Sequence, residues 1–292
     1  ATPCAAAVEI LCLWATTHNS IDLLFHAAIE GLADIDRGLV KTLVYGVLRQ
    51  KDHLDHIIRT FSKHPLRKMK PRTLMTLRIG AYQLLFLNRI PESAAVNATV
   101  NTLKAAGQPP WLIGFANGIL RAIARGRASL PTPEQTAAAS PPILNHPTWL
   151  IERWQAAFGA ETARAICISN NAEPPLTLRI NSRRTSRTAL KALMEKSGII
   201  VRNGRFSPLS LIVDAFPGAV VGLPGYEQGF FQVQDEAAQL ATTLVGPLPD
   251  RCRVLDGCAG LGGKTSHLAE MLPPDGVVFA VEPDARRSRL LG

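Results

Sequence analysis

Residues 253–270 read RVLDGCAGLGGKTSHLAE. An apolar strand runs into Asp256, the glycines Gly257, Gly260, Gly262 and Gly263 follow, and a helix begins near Lys264. Glycines at this density let a backbone turn sharply and approach a ligand closely. Such a strand-turn-helix holds either a phosphate or the nucleoside half of a cofactor. A phosphate-binding P-loop needs Gly, four residues, then Gly-Lys-Ser/Thr. Gly263-Lys264-Thr265 supplies the end of that pattern, but its first glycine would have to stand at Cys258, and Gly257 is one residue early.

The nucleoside alternative fits the spacing better. A second apolar run, VVFAVE, ends in Glu282, 20 residues beyond Gly262. A carboxylate there can accept the two hydroxyls of a ribose. Asp256 would repel a pyrophosphate, but it suits a cofactor with a ribose and a charged amino acid tail, namely S-adenosylmethionine. The expected cofactor-binding residues are Cys258, Ala259, Gly260, Leu261, Gly262, Gly263, Lys264 and Glu282. Lys264 can pair with the carboxylate of the tail or with Asp256. An ordinary tight turn between strand and helix, and a P-loop nucleotidase, are the competing readings.

A second chemistry is carried by charge. The formal net charge is +9. Between His56 and Pro91 stand Arg59, Lys63, Arg67, Lys68, Lys70, Arg72, Arg78 and Arg89, with no acid among them. A second run, from Arg179 to Arg205, has eight basic residues and the single acid Glu195. Two separated basic clusters point to a polyanion, RNA or DNA, touched in two places; a solvated face is the plainer reading of either cluster alone. Arg67, Lys68, Lys70, Arg72, Arg183 and Arg184 are the candidate RNA contacts. The tryptophans Trp14, Trp111, Trp149 and Trp154 stand in apolar helical contexts and read as packing anchors. His18, His26, His53, His56 and His64, in the same region, are further candidates to contact RNA, with solvated or internally satisfied rings as the default.

Around these residues the elements fall into order. Residues 1–127 read as helices throughout: in ADIDRGLVKTLVYGVLRQ the apolar positions share one helical face, and Pro71 and Gly107 mark a helix start and a helix end. Residues 128–147 hold five prolines and many small residues, the composition of a linker. Residues 148–228 mix helical stretches with the short strands PPLTLRIN, IIVRN and SLIV, as a small α+β domain would. Residues 229–292 carry FFQVQ, a helix from Asp235 and the glycine motif, the opening of an α/β domain. The expected fold is therefore multi-domain: an all-α bundle, a small α+β domain, then an incomplete Rossmann-like α/β domain.

The five cysteines are odd in number and scattered, which suits reduced thiols in a cytoplasmic protein. No run of 18 uncharged apolar residues offers a membrane span. Cys252, Cys258 and His267 have no second metal-ligand pair beside them, so no metal is expected.

These motifs also carry a resemblance. VLDGCAGLGGKT resembles the D-x-C-A-x-P-G-G-K-T signature of RNA cytosine carbon-5 methyltransferases, and FFQVQDEAAQL resembles the segment preceding it. DRGLVKTLVYGVLRQKDHLDHII, RIGAYQLLFLNRIPESAAVNATV and FANGILRAI are similar to the NusB-like RNA-binding domain of the RsmB/Sun group, and HPTWLIERWQAAFGAETARAICISNNAEPPLTLRINSRRTS to its middle domain. The resemblance implies a monomeric, cytoplasmic enzyme that forms 5-methylcytosine in small-subunit (16S) ribosomal RNA with S-adenosylmethionine. Leu261 stands where the signature has Pro, with Gly260 before it, which implies a looser loop. The family's nucleophilic and releasing cysteines lie in Pro-Cys and Thr-Cys contexts on later strands. No such context occurs here, so the nucleophile is expected beyond Gly292 and the chain itself is expected to be inactive. Cys258 corresponds to a cofactor-loop cysteine rather than to a nucleophile. The rival reading is a non-catalytic NusB-like RNA-binding or assembly protein.

Overall fold

A computed structural model describes residues 2–17, 19–216, 218–289 and 291. The chain divides into two compact units, one ending at Glu173 and one beginning at Pro174.

The first unit is helical. In chain order it carries α1 (Pro3–Thr16), α2 (Ile21–Ala28), α3 (Asp34–Arg49), α4 (Lys51–Phe61), α5 (Pro71–Phe86), α6 (Glu92–Ala105), α7 (Pro110–Gly126), α8 (Pro133–Ala138), α9 (Thr148–Phe158) and α10 (Ala160–Asn170). Prolines open α1, α5, α7 and α8 within the first turn, where their missing N–H would have had no acceptor. Helix α5 is the axis of the bundle and lies against α1, α3, α4, α6 and α7. Its apolar residues are not confined to one stripe: Met75, Leu77, Ile79, Ala81, Tyr82 and Leu84 are all buried, as a helix surrounded by others requires. Gly46 lets α3 approach it, since a Cβ there would lie 2.1 Å from Cζ of Tyr82. The polar groups that α5 brings into this core are paired. Gln83 donates to Oγ1 of Thr99 at 2.9 Å, and Arg78 forks onto Asp55, with Nε–Oδ1 and Nη2–Oδ2 both 2.8 Å.

Residues 128–147, whose composition suggests a linker, are folded against the bundle. Pro133 starts a helix rather than extending the chain, because Thr132 and Gln135 close a reciprocal capping box around it. Ala137 and Leu144 are buried in a cluster with Cys167. Asn145, in a left-handed conformation (φ 54°), accepts the N–H groups of Asp52 and His53 at 2.9 Å each and so caps α4. His53 Nδ1 meets Oγ1 of Thr136 at 3.0 Å. Helices α9 and α10 belong to the same compact unit, and Gln50 donates to the carbonyl of Asn171 at their end.

The second unit holds β1 (Leu176–Ile180), α11 (Arg187–Lys196), β2 (Ile200–Asn203), β3 (Ser210–Ala215), β4 (Phe231–Val233), α12 (Glu236–Thr243), β5 (Arg253–Asp256), α13 (Gly263–Met271), β6 (Val277–Ala280) and α14 (Ala285–Ser288). The first four strands form an antiparallel sheet in the order β2-β3-β1-β4. Side chains alternate across it. Leu178, Ile180, Leu211, Val213 and Phe231 pack with Leu190 and Met194 of α11. Thr177 and Arg179 point to the opposite face and are also buried. Strands β5 and β6 pair in parallel, Arg253 opposite Val277 and Asp256 opposite Ala280. Leu255, Val277 and Phe279 of this pair are exposed, although strands of parallel sheets are ordinarily covered on both faces.

Candidate cofactor loop and basic surface

The turn from β5 to α13 is fastened from both sides. Asp256, the last residue of β5, accepts the N–H of Cys258 at 3.2 Å and the hydroxyl of Thr265 at 2.7 Å, so its carboxylate ties the start of the loop to the first turn of the helix. Glu282, just past β6, accepts the N–H of Gly260 at 2.8 Å through Oε2 and that of Asp284 at 2.9 Å through Oε1. Ala259 N–H donates to the carbonyl of Val281 at 3.0 Å. Gly260 (φ 59°) and Gly262 (φ 83°) take left-handed conformations that a side chain would strain.

This geometry leaves donors facing outward. The N–H groups of Gly263, Lys264 and Thr265 at the head of α13 have no acceptor among the described residues, the first intrahelical acceptor being the Gly262 carbonyl that receives Ser266. They form a partial positive charge ready for an anion. A Cβ built on Gly257, Gly260 or Gly263 would meet nothing within 4 Å, so bare backbone fronts open space. Cys258, Ala259, Gly260, Gly263 and Lys264 line a cavity of about 520 Å³ together with Leu176, Gln234 and Asp235. Leu261, Gly262 and Glu282 are not in its lining; Leu261 is exposed, and Glu282 acts on the loop from its β6 side. Lys264 forms no ion pair with Asp256 among the described residues; that carboxylate is bonded by Thr265 and Cys258. The helix head with Lys264 offers cationic donors to a carboxylate, and Glu282, on the β6 side of the loop and outside this cavity, keeps a second lone pair on each oxygen as an acceptor for hydroxyls.

Beneath the helix lies a buried polar cluster. Arg179, on β1, is 1 % exposed and pairs with Glu270 of α13. Its Nη2 donates to Oε1 of Gln232 at 2.9 Å and to the hydroxyl of Ser266 at 3.1 Å. Burial and the Arg179 guanidinium hold the neighbouring His267 down to about 4, so its ring is neutral at physiological pH. Burial lifts the Glu270 carboxyl above its ordinary value against the pull of Arg179 and Arg183. The sheet thus grips the helix whose head presents the free N–H groups.

At least half of the second basic run is engaged by partners within the same chain. Besides Arg179, Arg183 donates to the carbonyls of Glu270 and Leu272 at the end of α13, Arg184 to that of Gln228 at 2.8 Å, and Arg202 pairs with Asp214. The first run is different. Arg72 pairs with Glu9 at 2.7 Å and Arg78 with Asp55. Arg59, Lys63, Arg67, Lys68 and Lys70 are exposed, and none lies within ion-pair distance of a carboxylate among the described residues.

Trp111 is where the packing-anchor expectation fails. The buried stripe of α7 runs through Leu112, Ala116, Ile119, Leu120 and Ile123; Trp111 sits one position, about 100° of helix rotation, off that stripe. It is 72 % exposed, beside Lys68 and Lys70. Trp149 is exposed as well, whereas Trp154 packs against the cluster of Leu144 and Cys167. Of the histidines, His53 is buried, His64 lies beside Trp111, and His18 falls outside the described residues. All five cysteines are unpaired thiols, with Cys4 and Cys167 buried and Cys258 exposed on the loop. Among the described residues no group of three or more His, Cys, Asp or Glu is placed to hold a metal ion, and no helix is long and apolar enough to cross a membrane.

Comparison with known proteins divides the chain in the same order. Residues 4–125 match the NusB family, residues 146–218 the ferredoxin-like domain of RsmF/B-like methyltransferases, and residues 243–292 the 16S rRNA methyltransferase RsmB/F family. The probable ribosomal RNA small subunit methyltransferase B of Bacillus subtilis (strain 168) is 33% identical over 92% of this chain and 60% of its own length. Its counterpart in Pseudomonas putida (strain KT2440) is 34% identical over 98% of this chain and 64% of its own. That of Escherichia coli O6:K15:H31 is 35% identical over 88% and 58%. The chain thus spans under two thirds of the length of these relatives. A crystal structure of PH0851 shares the fold, with TM-score 0.69 and 19% identity over 100% of this chain and 66% of that one.

Proposed function

We propose that this chain, which is similar to 16S rRNA methyltransferases of the RsmB/F family along most of its length, supplies the RNA-holding and cofactor-loop portions of an S-adenosylmethionine-dependent enzyme that forms 5-methylcytosine in small-subunit ribosomal RNA. The observation that carries the reading is the loop itself: Glu282 fastened to Gly260, beside three helix-head N–H groups without acceptors among the described residues. When bound, S-adenosylmethionine supplies the methyl group. Glu282 would hold its ribose hydroxyls, and the N–H groups of Gly263, Lys264 and Thr265 with the Lys264 ammonium would hold the carboxylate of its tail. Asp256 keeps the loop in shape rather than touching the ligand.

Carbon 5 of cytosine has little nucleophilicity until a thiolate adds to carbon 6, so the reaction needs a cysteine on the far side of the base. Burial raises the Cys4 and Cys167 thiols and suppresses their thiolates, Cys12 lies on α1 of the helical unit, and Cys252 precedes the cofactor loop while Cys258 lies within it. The reading assigns the nucleophile to none of them. Exposed Arg67, Lys68 and Lys70 would meet phosphates, while Arg72, Arg183 and Arg184 already have internal partners. Five unpaired thiols suit a reducing cytoplasm, and the reading takes the protein as a monomer.

The experiment is transfer of a labelled methyl group to small-subunit ribosomal RNA, run on this chain and on the protein at its relatives' length. Label on carbon 5 of a cytosine with the longer form, and none with this chain, is expected. Label on another atom sinks the cytosine assignment; RNA binding with no transfer at either length returns the protein to a binding or assembly role.

A further inference from the structure

A cavity of about 350 Å³ opens in the helical unit between the heads of α5 and α7. Its inner wall includes buried Thr73 and Leu112; its rim carries exposed His64, Lys68, Lys70 and Trp111. No carboxylate lines it. A second depression shares His64 with it and is rimmed by Arg59, Lys63 and Arg67. The two together form a basic track with an apolar slot opening from it and a bare indole at the mouth of the slot.

Each part of this arrangement is costly unless something covers it. An indole left in water forfeits the burial that a side chain of that size ordinarily gains, and five cations without counter-charges repel one another. A phosphate backbone answers the cations, and an aromatic base, flat and apolar on its faces, answers the indole. Bases in a duplex are stacked and out of reach, so the ligand must present an unstacked one.

We propose that this cavity is a base pocket for single-stranded RNA, in which one unstacked nucleobase lies on Trp111 while the adjoining phosphates meet Lys68 and Lys70 on one side and Arg59, Lys63 and Arg67 on the other. This deepens the ribosomal RNA reading and rests on it: the pocket would select an unpaired stretch of the substrate.

The test uses the whole chain with two probes, an unstructured oligouridylate and a fully paired RNA duplex of equal length. Oligouridylate is expected to bind more tightly than the duplex and to quench tryptophan fluorescence. Trp111→Ala should weaken oligouridylate binding about tenfold without changing its dependence on salt, and Trp111→Phe should restore most of the affinity while losing the quenching. Substituting Lys68→Ala and Lys70→Ala together should flatten the salt dependence instead. Unchanged affinity for Trp111→Ala overturns the pocket, and is also what a slot built for an apolar peptide would give; if the lysine pair still governs the salt dependence, the RNA reading survives that result. Quenching that persists in Trp111→Phe places the base on another tryptophan and overturns the pocket as well. Failure of the unaltered chain to bind either probe removes both the pocket and the RNA-holding role of this unit.

Discussion

The N–H of Gly260 donates to Oε2 of Glu282 at 2.8 Å, joining the loop after β5 to the residues that follow β6. One carboxylate therefore does two jobs in the proposed site: it fixes the loop's backbone, and it presents its remaining lone pairs to a ribose.

The two jobs can be separated by substitution. In the protein at its relatives' length, Glu282→Ala should weaken S-adenosylmethionine binding by ~1–3 kcal/mol, the cost of charge-assisted hydrogen bonds left unmade. Glu282→Gln keeps an acceptor for Gly260 but gives up the charge, and should fall between the two. Calorimetric titration reads both. Equal affinity in all three forms would take Glu282 out of the site.

The Asp55–Arg78 fork is the second place where one residue decides much. Both side chains are under a tenth exposed, at 9% and 7%, so removing the carboxylate strands a guanidinium in the core. Asp55→Ala should cost ~3–5 kcal/mol of unfolding free energy, whereas Asp55→Leu combined with Arg78→Met should recover much of that. Urea unfolding followed by helical circular dichroism separates them; a single variant as stable as the double would show that the charge is solvated after all.

His53 gives the helical unit a sensitivity to acid. Burial, with His56 adding to it against Glu134, lowers its pKa from 6.5 to about 4. Above pH 6.5 the ring is neutral whether the chain is folded or not. As pH falls from 6.5 to about 4, the unfolded chain takes up a proton that the folded one refuses, so stability is lost through that window and levels off below it. The loss should approach ~3 kcal/mol for a shift of this size, and His53→Gln should remove most of it. A melting temperature that declines equally with pH in the variant would assign the acid sensitivity elsewhere.

Much of this was legible along the chain because it depends on neighbours in sequence. The prolines at helix starts, the alternation in Leu176–Ile180, and the order Asp256, glycines, Glu282 are local patterns, and the structure realises each as strand, turn or helix. What was not legible depends on residues far apart. Arg179 reads as one more cation in a basic run, and only the arrival of Glu270, 91 residues later, makes it a buried pair. The Pro-rich stretch 128–147 has a linker's composition, yet Asn145 within it caps a helix that begins at Lys51. Trp111 carried a fainter local signal, its one-position offset from the apolar stripe of α7, and the Lys68–Lys70 surface beside it comes from another part of the chain.

The Arg179–Glu270 pair also limits the routes by which the sequence can drift. Either residue changed alone passes through an intermediate with an unmatched charge between sheet and helix, while a simultaneous exchange for two apolar side chains of similar bulk need not. Their substitution effects are expected to be strongly non-additive. The two positions are therefore open to inheritance as a couple and closed to it one at a time, so lineages descending from a common ancestor should keep both residues or have replaced both.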